Sequence, residues 1–245
     1  RAPAFISVLM VLLTVVAVGC GGDATPTGRT GPPKVVATTT IVADLVRTLG
    51  GEAVTVTSLM GPGIDPHLYK PSAGDVRRMS SAEAVFYTGL HLEGKMTDVL
   101  EQMGARGVRT VAVAACLPED ELITAEGFSG LHDPHVWFDV GLWARVIPCV
   151  SRALVELAPE HAEAIRQRAD AYRRQLEAVH EEVRGRIGEI PPDRRVLVTA
   201  HDAFAYFGRA YGMEVLGLLG ISTAAEAGTS DVQQLADEIA RRRIP

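Results

Sequence analysis

Three histidines sit inside short, well-separated phrases: His67 in Gly63-Ile64-Asp65-Pro66-His67, His135 in Asp133-Pro134-His135-Val136-Trp137, and His201 in Thr199-Ala200-His201-Asp202. Neutral imidazole is the commonest protein ligand for a divalent transition metal, and three imidazoles drawn from distant parts of one chain are what a pocket around a single Zn²⁺-like ion requires. Each phrase also carries an aspartate: Asp65, Asp133 and Asp202. A ligating imidazole ordinarily passes its other N–H to a carboxylate or a carbonyl, so these aspartates are the candidate partners of the ligands. An Asp before Pro or after a strand is also ordinary turn chemistry. The remaining histidines read differently. His161 and His180 fall on a long helical stretch as solvated or satisfied residues, and structural roles are expected for His91 and for His132, close as the latter is to His135. No Cys-x-x-Cys spacing is present, which argues against a thiolate zinc site.

The elements that must position these histidines alternate. Short apolar strands at 34–38, 53–59, 84–87 and 109–114 are separated by helices at 41–49, from Ser72 as N-cap, and at 93–104. That alternation predicts an α/β fold with parallel-type sheets flanked by helices. Ligands carried on loops after strands are where open α/β sheets bind things. An apolar helical stretch follows at 143–157. From 159 to 190, apolar residues at Ala162, Ile165, Ala169, Tyr172, Leu176, Val179, Val183 and Ile187 form one stripe at spacings of three and four. About 30 helical residues would extend roughly 45 Å, long enough to brace two lobes. Alternation then restarts with a strand at 195–199, a helix at 203–211, a strand at 214–219 and a helix at 230–243 capped by Ser230. Two strands alone make a marginal sheet, so the second lobe reads as truncated.

Composition bounds the rest. With 245 residues, 47% hydrophobic and 22% charged, the chain can bury a sizeable core. A net charge of −6 and a pI near 5.7 leave no basic footprint, and no nucleic-acid partner is expected. The apolar run at 5–18 is too short to span a bilayer comfortably and fits the apolar core of a secretory signal. It ends in Ala17-Val18-Gly19-Cys20, which resembles a bacterial lipobox, followed by a Thr/Pro/Gly tract to Pro33. The expected organisation is a lipoprotein signal segment at 1–20 with Cys20 as the lipidated residue, and a flexible tether at 21–33. An N-terminal lobe at 34–158, a linking helix at 159–190 and a partial C-terminal lobe at 191–245 complete it. The chain starts on Arg, so its own start is expected upstream. Cys116 and Cys149 are permitted a disulfide in an oxidising compartment. The apolar helical setting of Cys149 nevertheless favours a buried free thiol.

Five phrases in order carry a resemblance: Val36-Ala37-Thr38-Thr39-Thr40; Ser58 through Tyr69, containing Gly63-Ile64-Asp65-Pro66-His67; Gly89-Leu90-His91-Leu92-Glu93-Gly94; Asp133-Pro134-His135-Val136-Trp137-Phe138-Asp139; and Thr199-Ala200-His201-Asp202-Ala203-Phe204. Together they resemble the solute-binding lipoproteins of bacterial zinc and manganese ABC importers. The resemblance implies two lobes joined by one long rigid helix, with the metal in the cleft between them. His67 and His135 would come from the first lobe and His201 from the second. A fourth, acidic ligand would lie beyond Pro245. It also implies an extracytoplasmic monomer, lipid-anchored to the membrane, that delivers its ion to a permease and its ATPase. Members preferring manganese often carry glutamate at the position of His201, which tilts the expectation toward Zn²⁺ over Mn²⁺, as does the liking of manganese for oxygen donors. The segment at 117–131 lacks the long His-rich loop of zinc-specific members.

Two other classes are compatible with three histidines. A secreted zinc hydrolase also uses three protein ligands, but needs a general base and a substrate pocket. No His-Glu-x-x-His helix or Gly-x-Ser-x-Gly elbow is present. A surface adhesin with an incidental metal would keep its attachment when His67 and His135 are replaced. A capture protein predicts instead that affinity falls as protons compete for the imidazoles between about pH 8 and pH 5.

Overall fold

Val35, Val36 and Ala37 alternate between two buried faces, and that alternation explains the first sheet. The structure, a computed structural model, describes residues 31–124, 130–224 and 227–244. The signal segment, Cys20 and nearly all of the tether lie outside the described residues. Strand β1 (Lys34–Ala37) pairs in parallel with β2 (Thr55–Ser58) on one side and β3 (Ala84–Tyr87) on the other, and β4 (Thr110–Ala112) extends the order to β2-β1-β3-β4. Successive side chains of a strand point to opposite faces. Val35, Ala37, Ala84 and Phe86 accordingly join one apolar cluster, while Val36 and Val85 join another. Both faces are covered by helices, the usual condition of a parallel sheet.

The first cluster is completed by α1 (Thr40–Gly50), α5 (Ile147–Leu157) and the long α6 (Ala162–Gly188). The second is completed by Met79 of α2 (Ala73–Ser80) and by Leu100 and Met103 of α3 (Thr97–Ala105). Ser72 does cap α2: its hydroxyl accepts from the Asp75 N–H, and the Asp75 carboxylate accepts from the Ser72 N–H. The stretch expected as one helix from 143 is two, α4 (Val140–Ala144) and α5. Pro148 in the first turn of α5 explains the break, because proline supplies no N–H to a preceding turn but suits a helix start.

Helix α6 has 27 residues and so extends about 40 Å. It packs on α1, α4 and α5 and also on α7 (Ala205–Tyr211). Arg168 fixes one contact by donating to the carbonyls of Leu49 and Gly50 at 2.7 and 2.6 Å, satisfying the open end of α1. Burial fades along the stripe: Ile165 and Ala169 are buried, whereas Val179 is 43% exposed.

Beyond α6 lies a second sheet of two parallel strands, β5 (Val196–His201) and β6 (Glu214–Leu219), with α8 (Thr229–Arg242) against β6. Strand β5 runs two residues further than expected, and His201 is its last residue. Gly228, not Ser230, precedes α8, its N–H held by the Asp231 carboxylate at 2.8 Å. A pair of strands is marginal alone. Here Tyr206 of α7 lies fully buried within the core of the first sheet, so the two halves share apolar packing.

Cys116 and Cys149 form a disulfide, with Cα atoms 6.2 Å apart. The free thiol favoured by the apolar setting of Cys149 is corrected. The bridge ties the segment after β4 to α5, and neither cysteine is fully buried. Among the described residues no helix is long and apolar enough to cross a membrane.

Candidate metal centre

The three candidate histidines come from separate parts of the chain. His67 follows β2 in the loop to α2, His135 follows β4 by a longer excursion, and His201 closes β5. Their ligand nitrogens all lie within 4.8 Å of one another, the only such grouping of His, Cys, Asp or Glu among the described residues. The Nε2 atoms of His67 and His135 are 3.2 Å apart. Two nitrogens each about 2.0–2.1 Å from a tetrahedral ion stand about 3.3 Å apart, so this pair already has the spacing zinc requires.

Proton positions follow from the partners. Asp133 is completely buried, and its Oδ1 accepts from the His135 backbone N–H at 2.9 Å and from His135 Nδ1 at 2.7 Å. A carboxylate only accepts, so Nδ1 carries the proton and Nε2 turns a lone pair toward the other two imidazoles. Asp65 acts through the backbone instead: its Oδ1 accepts from the His67 N–H at 2.9 Å. Among the described residues the Asp202 carboxylate makes no hydrogen bond to His201; it contributes charge alone.

The electrostatics suit a cation and penalise protons. Burial pushes the His67 imidazole down to about 4, with His135 adding to the shift. His201 is lowered by burial and then by His135. Asp202 is raised, first by burial and then by repulsion from Asp133. A divalent ion among three neutral imidazoles would relieve that crowding of negative charge at short range. Asp133 Oδ2 is buried with no hydrogen-bond partner among the described residues.

The surroundings fix the rings. Trp137 stands edge-on to His135 at 5.3 Å between ring centroids, and Phe138, next along, packs on Phe204 from beyond β5 at 4.1 Å. Gly217 of β6 admits the Asp202 turn: a Cβ there would come within 2.8 Å of the Asp202 nitrogen. That approach lets Asp202 N–H reach the Leu219 carbonyl at 3.0 Å, immediately after His201.

Residues 35–245 match the model for the zinc-uptake complex component A, periplasmic (ZnuA). The chain belongs to the ZnuA family. Among its relatives is the manganese-binding lipoprotein MntA of Bacillus subtilis, 44% identical over 235 residues, covering 96% of this chain and 76% of MntA. The zinc-binding protein TroA of Treponema pallidum is 46% identical over 216 residues, covering 88% of this chain and 69% of TroA. A solved structure of TroA superimposes with a TM-score of 0.84 over 88% of this chain and 76% of that one. The α/β architecture with one long helix is thus that of the ZnuA family, whose members are substrate-binding proteins rather than enzymes.

The other histidines stand apart from the trio. His91 and His132 line a separate cavity of about 310 Å³ together with Tyr87 and Glu93. The His91 backbone has φ of 65°, and nearby the buried Glu93 carboxylate accepts from the N–H groups of Thr88 and Gly89 and the hydroxyl of Thr38. His180 accepts from the Gly141 N–H at 3.2 Å and lies 3.1 Å from the Tyr211 hydroxyl, while His161 precedes α6 and is exposed. Sequence reasoning missed Tyr206 and Thr223, which touch the two Asp-Pro-His turns. Tyr206 lies in an ordinary apolar helix and Thr223 in a Ser/Thr-rich loop, and neither setting signals a site.

The Asp133 geometry carries an expected outcome. Asp133→Asn keeps an acceptor for His135 but removes the charge that makes the imidazole a better donor, and it places a buried NH₂ where Oδ2 has no partner. Zinc affinity is expected to drop about 10–100-fold. Isothermal titration giving wild-type affinity would show that Asp133 only shapes the turn.

Proposed function

We propose that this protein captures a divalent transition metal outside the cytoplasm, zinc in preference to manganese, and delivers it to an ABC importer. His67, His135 and His201 are the ligands in this reading. The observation that carries it is the convergence of three imidazole nitrogens within 4.8 Å from three separate parts of the chain. Imidazole suits zinc, whereas manganese favours oxygen donors, which supports the zinc preference. Membership of the ZnuA family supports the transport role, and the names of its relatives include both metals. Cys20 anchors the chain to lipid, a permease and its ATPase receive the ion, and the protein acts as a monomer.

The ion is cargo, so the residues need only bind, orient and release. Asp133 holds one imidazole by its ring, Asp65 steadies the turn of a second, and the end of β5 presents the third. The test is metal content and a Zn²⁺ against Mn²⁺ competition titration on this protein. Stoichiometric zinc retained against manganese is expected; manganese retained in preference would move the protein to the manganese branch, and no stoichiometric metal would overturn the reading.

The acid dependence is also set. Protons and metal compete for the same lone pairs, so a lowered imidazole pKa weakens the proton as competitor. With His67 pushed down to about 4 and His201 lowered as well, zinc is expected to stay bound below the ordinary histidine range and to leave between about pH 6 and pH 4. A release midpoint at or above pH 6.5 in a chelator-monitored titration would contradict the buried-imidazole site.

A further inference from the structure

Asp65-Pro66-His67 and Asp133-Pro134-His135 are one turn built twice. In each, the aspartate Oδ1 accepts the backbone N–H of the histidine two residues on, at 2.9 Å in both cases. Each turn also receives one hydroxyl from the part of the chain beyond α6. Thr223, in the loop after β6, donates to Asp65 Oδ2 at 2.6 Å. Tyr206, on α7, donates to the Asp133 carbonyl oxygen at 3.0 Å, and its own oxygen accepts the Ile123 N–H at 3.0 Å. These bonds join residues 158 and 73 positions apart, and they connect both histidine turns of the first half to the half that carries His201.

We propose that Thr223 and Tyr206 are positioning residues for the metal. They set the spacing of His67 and His135 against His201 across the cleft, so that an entering ion meets three nitrogens already in register. The proposal rests on the reading of these histidines as ligands. The chemistry of the two bonds fits the task. Asp65 is an anion, so the Thr223 bond is charge-assisted and strong for its size. Tyr206 is fully buried in the shared core, where water does not compete for its hydroxyl. A shift of either hydroxyl moves an aspartate, and each aspartate moves the backbone of its histidine.

The two residues separate experimentally. Thr223 is only half-buried, so Thr223→Val removes the hydroxyl at nearly constant volume and little cost to folding. Tyr206→Phe leaves the Ile123 N–H and the Asp133 carbonyl without this partner inside the core, so it also lowers stability. The readouts are the zinc release rate by chelator competition and the visible spectrum of the Co²⁺-loaded protein, which responds to ligand geometry and not to fold stability.

Thr223→Val is expected to speed zinc release about 10–100-fold and to alter the cobalt bands, with Thr223→Ser restoring both. Tyr206→Phe is expected to act in the same direction. Wild-type release rates and cobalt spectra in Thr223→Val and Tyr206→Phe overturn the proposal, and so does a serine variant that fails to restore them. Wild-type protein that holds no stoichiometric zinc or cobalt overturns the ligand assignment itself, and the positioning role with it.

Discussion

A His67→Ala/His135→Ala double variant is expected to bind no stoichiometric zinc under conditions where the wild-type chain binds one ion. The two Nε2 atoms stand 3.2 Å apart and both residues are buried, so each alanine removes a donor that solvent reaches poorly. Loss of a hydrogen-bond partner behind a ligand costs about 10–100-fold in affinity. Loss of the ligand itself removes the metal–nitrogen bond and must cost more, and two losses leave His201 alone. The variant is also expected to melt lower, because removing His135 takes from the buried Asp133 carboxylate the ring N–H it accepts. Metal analysis after dialysis, paired with a melting curve, checks both halves. Retention of one zinc per chain with a normal melt would place the metal elsewhere.

The second large effect concerns the Cys116–Cys149 bridge. Its 33-residue separation corresponds, in the chain-entropy model, to about 3–4 kcal/mol of stability through restriction of the unfolded chain. For a body of about 200 residues, each kcal/mol shifts the melting temperature by about 2–4 °C. A Cys116→Ser/Cys149→Ser variant is therefore expected to melt roughly 7–15 °C lower. Metal affinity should change little, since the bridge lies between the segment after β4 and α5 and touches none of the three histidines. Equal melting temperatures for oxidised and fully reduced wild-type protein would rule the stabilisation out.

Several features were legible before any coordinates. The β-α alternation, the Ser72 cap, the long helix and the three histidine phrases are local patterns, and local patterns survive folding. The failures share a cause in tertiary context. Strand β5 extends through His201 because β6 pairs with it as far as Leu219, a partner invisible from residues 195–201 alone. The helix expected as one from 143 divides at 145–146, ahead of Pro148, whose effect on the preceding turn outweighed the apolar periodicity. The disulfide needed a distance between residues 33 positions apart, and hydrophobicity around Cys149 pointed the other way. Tyr206 and Thr223 act through single hydroxyls on distant turns, and no spacing rule reaches across 73 or 158 residues.

The wide separation of the histidines along the chain ties metal binding to folding. His67 and His135 are 68 residues apart, and His201 lies a comparable distance further on. Closing two such loops is entropically costly without a folded scaffold, so a nascent or still-unfolded chain offers only isolated imidazoles and holds metal weakly. Binding that favours the native form alone then adds to its stability by mass action. An occupied site is in this sense a certificate of completed folding.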